Sequence, residues 1–104
     1  MEFMNVVRME IKPGQFDAWR EVMANNFKQA AEMGGVPGML AMRHVKIGEN
    51  KVCVVGRWES KEAFVAARPM LVQNLDKFRH LLVPSEAGDT DPVAGEVIFS
   101  ATDG

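Results

Sequence analysis

Apolar residues recur along the 104-residue chain with two different periods, and the alternation of those periods outlines the fold. Phe3 to Ile11 is rich in Val, Met and Ile and stops at Lys12-Pro13-Gly14, which predicts a strand closed by a turn. From Gln15 to about Met33 the period lengthens: Phe16, Trp19, Met23, Phe27, Ala30 and Ala31 recur at three- and four-residue steps, the stripe of an amphipathic helix stopped by Gly34-Gly35. After Val36-Pro37-Gly38, Met39 to Ile47 reads as a second strand. The short loop Gly48-Glu49-Asn50 then turns it into a third, Lys51 to Glu59, as its antiparallel neighbour. Ser60 is a natural N-cap and Glu62 favours the helix dipole, so a second helix starts where the Trp58 strand ends. Pro69 is expected to break or kink it. Beyond, Leu71, Leu75, Phe78 and Leu82 continue a stripe up to Pro84. Ser85 to Gly95 reads as a polar, acidic loop before a last strand, Glu96 to Ala101.

The order β-α-β-β-α-β predicts a ferredoxin-like α+β domain spanning residues 1–104, a four-stranded antiparallel sheet with both helices on one face. A sheet covered on one side should alternate apolar and polar positions. Val52-Cys53-Val54-Val55 and Met39-Leu40-Ala41-Met42 are apolar on both parities, so the open face is expected to pack against a second copy of the chain.

Composition narrows the function classes. With 47% apolar and 25% charged residues the chain has the balance of a globular protein, and no run approaches the ~18 apolar residues of a membrane span. The N-terminus lacks the layout of a signal peptide, so a cytoplasmic location away from membranes is expected. Twelve Lys and Arg against fourteen Asp and Glu, with neither sign gathered on one face, predict no nucleic-acid partner. A single cysteine, Cys53, excludes an internal disulfide and a cysteine-based metal site. No phosphate-binding glycine loop, His-Glu-x-x-His or Gly-x-Ser-x-Gly is present, so local motifs alone identify no reaction.

The candidates for chemistry are the polar residues that interrupt apolar strands: Asn5, Arg8, Arg43, His44 and Arg57. If Ile47 pairs with Lys51, Leu40 faces Trp58 and His44 faces Val54, which sets His44 and Trp58 on one side of the sheet. An imidazole and an indole converging there could bind a planar aromatic, the indole stacking while the imidazole accepts a phenolic proton. The structural alternatives are a His satisfied by a carboxylate and a Trp that fills core. Asn5 shares its parity with Phe3, Val7, Met9 and Ile11 and needs a hydrogen-bond partner or a ligand. His80 falls opposite the apolar stripe of its helix, and the eight Met residues read as core filler or as a pliable pocket lining.

Three segments carry a family resemblance: Lys12-Pro13-Gly14, Val36-Pro37-Gly38-Met39, and Arg57-Trp58-Glu59-Ser60 followed by Glu62-Ala63-Phe64. At these spacings the chain resembles the antibiotic biosynthesis monooxygenase family of dimeric α+β barrels over nearly its whole length. The resemblance implies a homodimer that binds a small molecule. In its actinorhodin-type branch it implies oxidation of polycyclic phenols by molecular oxygen with neither metal nor flavin. Protein groups there orient the substrate and stabilise its anion. The pattern's His falls on His44 and its Trp on Trp58, at the same separation, which implies His44 and Trp58 as catalytic residues. Its third-strand Asn is Val54 here and its Tyr at the start of the second helix is Phe64, so two polar groups of the substrate site are lost. Its helix Arg corresponds to Arg79, across Pro69. With Asn5, these residues make up the implied substrate site. A noncatalytic small-molecule-binding dimer is the alternative. The chain also resembles the haem-degrading branch, but that branch's Asn, Trp and iron-ligating His fall on Val7, Ala67 and Lys77, which removes the iron ligand.

Overall fold

The computed structural model describes residues 1–102. Its elements run β1 (Phe3–Ile11), α1 (Phe16–Glu32), β2 (Met39–Lys46), β3 (Lys51–Trp58), α2 (Lys61–Phe78), a 3-10 turn (Arg79–Leu81), β4 (Leu82–Val83) and β5 (Asp91–Glu96). All strand pairs are antiparallel. β1 lies beside β3, β2 flanks β3, and the other side of β1 is shared by β4 at its C-terminal end and β5 along the rest. The predicted ferredoxin-like α+β arrangement is thus present, with its fourth strand position filled by two pieces.

Local chemistry accounts for most boundaries. Gly34 and Gly35 hold φ of 95° and 89°, and Gly35 donates to the Ala30 carbonyl at 2.8 Å, so α1 ends in the left-handed turn that side chains disfavour. Ser60, extended at φ −159°, accepts a 3.1 Å hydrogen bond from the Ala63 N–H and starts α2 as the N-cap. Pro69 does not break α2, which runs unbroken to Phe78. Pro69 itself is exposed and so is Val65, four residues earlier, so the carbonyl left without a helical donor is on a solvent-facing side.

Three boundaries differ from expectation. Leu82 belongs to β4 rather than to a helix extending to Pro84, because Leu82 pairs with Ile11 and is 1% exposed. The last strand is Asp91–Glu96, not Glu96 to Ala101. β5 pairs from Arg8↔Asp91 to Phe3↔Glu96, where β1 runs out, so Ile98 and Phe99 find no strand partner and stay exposed. Pro92 is tolerated because β5 is an edge strand. Third, a bulge between Met39 and Ala41 pairs Met39, not Leu40, with Trp58, and Leu40 is left exposed.

The register puts Phe3, Asn5, Val7, Met9 and Ile11 on the helix-covered face with Val52, Val54, Gly56 and Trp58. Two buried clusters form there. One joins Met9, Ile11, Val52 and Leu82 to Trp19 and Met23 of α1; the other joins Phe3 and Trp58 to Ala67 of α2.

Candidate functional site

Between the clusters lies a partly open cavity of about 480 Å³, lined from both: Met23 and Val54 come from the first, while Phe64, Leu71 and Met39 pack on the second. That volume is within the ~300–1,000 Å³ of small-molecule sites, which are likewise mostly apolar with a few placed polar groups.

The sheet wall is organised by one buried hydrogen bond. Trp58, fully buried, donates its indole Nε1–H to Asn5 Oδ1 at 2.8 Å, and Asn5 is 6% exposed. An indole nitrogen can only donate, so the bond fixes the Asn5 amide with its oxygen toward Trp58 and leaves its NH2 for other partners. Room for the pair comes from Gly56, opposite Asn5 in the ladder. A Cβ there would collide with Asn5 Oδ1 and approach Trp58 Nε1 to 2.9 Å. Phe64 packs edge-on against Trp58, with ring centroids 5.6 Å apart, and stacks at a tilt on Phe3 at 5.4 Å.

The helices contribute polar residues to an otherwise apolar wall, Asn26 from α1 and the exposed Arg68 and half-buried Asn74 from α2. On α1, Asn26 follows Trp19 and Met23 on the buried face. It is 7% exposed, lines the cavity, and has no hydrogen-bond partner for its Nδ2. On α2, Phe64, Arg68, Leu71 and Leu75 line the cavity at helical spacing, so Arg68 sits within the apolar stripe itself.

The residues singled out from sequence separate into three places. Asn5, Val54 and Phe64 line the cavity. Trp58 stands behind Asn5 and Phe64 without lining it. His44 pairs with Val54 as expected and shares the helix side of the sheet with Trp58, but its imidazole packs against Trp19 at 5.4 Å and Phe27 at 5.6 Å, whereas Trp58 packs against Phe64 and Asn5. His44 keeps solvent access as a residue, yet the desolvation of its ring between two aromatics lowers its pKa below 6.5. Arg79 is exposed, paired with Asp76 and Asp89, and outside the cavity lining. Arg57 pairs with Glu2 at 2.6 Å on the opposite sheet face, where Arg8 and Arg43 also fall. His80 is exposed in the 3-10 turn.

Asn26 and Arg68 were not among the sequence candidates. Their signal was present: each breaks an apolar helical stripe, as Asn5 breaks an apolar strand face. Among the described residues, no group of three or more His, Cys, Asp and Glu is placed to hold a metal, and no helix is long and apolar enough to cross a membrane.

The family model described as antibiotic biosynthesis monooxygenase matches residues 2–69, from β1 through the first half of α2. The chain belongs to the antibiotic biosynthesis monooxygenase family. The matched region contains Asn5, Asn26, Val54, Trp58, Phe64 and Arg68, whereas the lining residues from Met70 onward, on the second half of α2 and on or next to β5, lie beyond it. Solved structures share its fold at low identity. SnoaB, a cofactor-independent oxygenase from Streptomyces nogalater, superposes with a TM-score of 0.74 at 15% identity, covering 98% of each chain. A Mycobacterium tuberculosis protein gives 0.76 at 12% identity, covering 98% of this chain and 100% of the other. A Nitrosomonas europaea protein of unknown function gives 0.74 at 19% identity over 99% and 95%. No curated protein sequence matches the chain.

Proposed function

We propose that the protein is a homodimeric, cofactor-independent monooxygenase that oxidises a small aromatic or quinol-like substrate in the cavity between sheet and helices. The observation that carries this reading is an apolar cavity of about 480 Å³, with Asn5 held in one orientation by Trp58, in a chain of the monooxygenase family. Phe64 and Val54 supply apolar surface for a flat ring, and Trp58 acts through Asn5 and Phe64 by fixing both. His44 does not line the cavity but packs against Phe27 of its wall; it is the proton acceptor through an intervening water, with an imidazole that its lowered pKa keeps neutral near pH 7. For a hydroxyanthrone, loss of a proton creates an electron-rich anion that reduces dioxygen. The resulting ring peroxide collapses to a quinone, leaving one oxygen atom on the ring and releasing the other as water.

Support for the dimer comes from the sheet face away from the helices. Val6, Val55 and Val93 lie in register across β3, β1 and β5 on that face, with Val93 56% exposed. Apolar surface of that kind is normally covered by a partner. Sedimentation showing only monomer at micromolar concentration would refute it.

Oxygen uptake with a panel of hydroxyanthrones and hydroquinones tests the chemistry. We expect turnover to fall by ~10²-fold or more in His44→Ala, the scale of a lost general base, with a smaller fall in Trp58→Phe. Turnover that survives both substitutions would remove the proposed site. The replacement of two polar groups of the family pattern by Val54 and Phe64 favours a second reading, a noncatalytic binding dimer; ligand binding without oxygen uptake would establish it. A haem titration without a shift of the Soret band disposes of haem binding.

A further inference from the structure

We propose that the cavity selects acidic ligands: flat, largely apolar molecules that carry a carboxylate for Arg68 and a neutral carbonyl oxygen for Asn26. This rests on the small-molecule reading above and names its ligand class.

Arg68 is the single charged residue among those that line the cavity, and no carboxylate lines it. Among the described residues Arg68 makes no ion pair, while Arg57 and Arg79 each have an acidic partner. A guanidinium is charged at every physiological pH and its fork matches a carboxylate in two parallel hydrogen bonds. The one formal charge of the lining is therefore positive, on a residue that is itself exposed to solvent.

Asn26 provides the second, independent observation. A buried amide nitrogen without a partner costs stability, and replacing it by an apolar group of similar shape would relieve that cost. Trp19 also has a buried, unpartnered N–H, but it does not line the cavity. Asn26 does, so a turn of its side chain toward the cavity would present this nitrogen to a ligand oxygen. Asn5 adds a donor of the same kind, since its oxygen is taken by Trp58. Asn74 and Thr90, half-buried at the wall, carry no charge and pair with either donors or acceptors.

The three donors line the same cavity from three elements, Asn5 from β1, Asn26 from α1 and Arg68 from α2.

The test uses 9,10-anthraquinone-2-carboxylate and 9,10-anthraquinone-2-carboxamide, titrated against the full chain at pH 7.5 by tryptophan fluorescence. We expect the carboxylate to bind about tenfold tighter, the scale of a charged hydrogen bond at a partly exposed site, and Arg68→Gln to abolish that preference. Asn26→Leu should weaken both probes by about fivefold while its urea midpoint stays at or above wild type, a combination that a purely structural role for Asn26 does not produce. Equal binding of the two probes to wild type, or a carboxylate preference that survives Arg68→Gln, overturns the proposal and leaves the small-molecule cavity standing. Absence of binding by both probes overturns the proposal and the cavity reading together.

Discussion

Replacing Gly56 by Ala tests the idea that one glycine holds the sheet wall of the cavity in shape. The added methyl would collide with Asn5 Oδ1, sit 2.9 Å from Trp58 Nε1 and 3.3 Å from Met42 Cε, so Asn5 and Trp58 cannot both keep their places. Three costs follow. The lost hydrogen bond contributes about 1 kcal/mol, the indole N–H left buried without a partner about 1–3 kcal/mol, and the overpacking about 1–3 kcal/mol. A gain of up to ~1 kcal/mol from replacing a strand glycine offsets part of this. The net destabilisation is about 2–7 kcal/mol, a large share of the ~5–15 kcal/mol typical of a domain. At a urea slope of ~1–2 kcal/mol/M, a loss of 3 kcal/mol lowers the unfolding midpoint by ~2 M. The collision also makes the effect depend on Asn5. In a double-mutant cycle Asn5→Ala costs stability by itself but removes the principal clash, so Gly56→Ala should cost at least ~1 kcal/mol less on that background. A change below ~0.5 kcal/mol for Gly56→Ala, or strict additivity of the two substitutions, would show that neither the close approach nor the Asn5–Trp58 bond matters.

Two further outcomes are expected. Ser60→Ala removes the hydroxyl that accepts the Ala63 N–H and should cost about 1 kcal/mol by urea denaturation, with Ser60→Asp close to wild type. Burial between Trp19 and Phe27 lowers the His44 pKa, so the unfolded chain takes up this proton first as pH falls. His44 therefore supports stability above pH 6.5 and loses that contribution as pH falls from 6.5 through the lower folded value. NMR titration of the imidazole should give a midpoint below 6.5, and His44→Gln should flatten the acid limb of the stability profile; a midpoint at or above 6.5 would contradict the desolvated packing.

What the sequence determined by itself was the run of elements from β1 through α2 and the α+β order they belong to. Short-range chemistry accounts for that: the cap at Ser60, the glycines after α1 and the three-residue hairpin loop each act within a few residues of where they stand. The family resemblance in Arg57-Trp58-Glu59-Ser60 was legible for the same reason, since it marks a strand-to-helix junction. The Asn5–Trp58 bond was half visible. A lone Asn on an apolar strand face announces a need for a partner, but naming that partner requires the β1–β3 register and the space over Gly56, which are properties of two strands far apart in sequence.

Tertiary structure decided the site. His44 and Trp58 share a sheet face, yet their neighbours come from different helices, so side-chain parity placed them on one side without placing them in one pocket. The last strand shows the same division. Glu96 to Ala101 has the residues of a strand, but a strand needs a partner backbone, and β1 offers one only to Asp91–Glu96. Asn26 and Arg68 are unremarkable letters inside amphipathic helices. They become the polar groups of a cavity only because α1 and α2 line the same space over the sheet, and no local period carries that information.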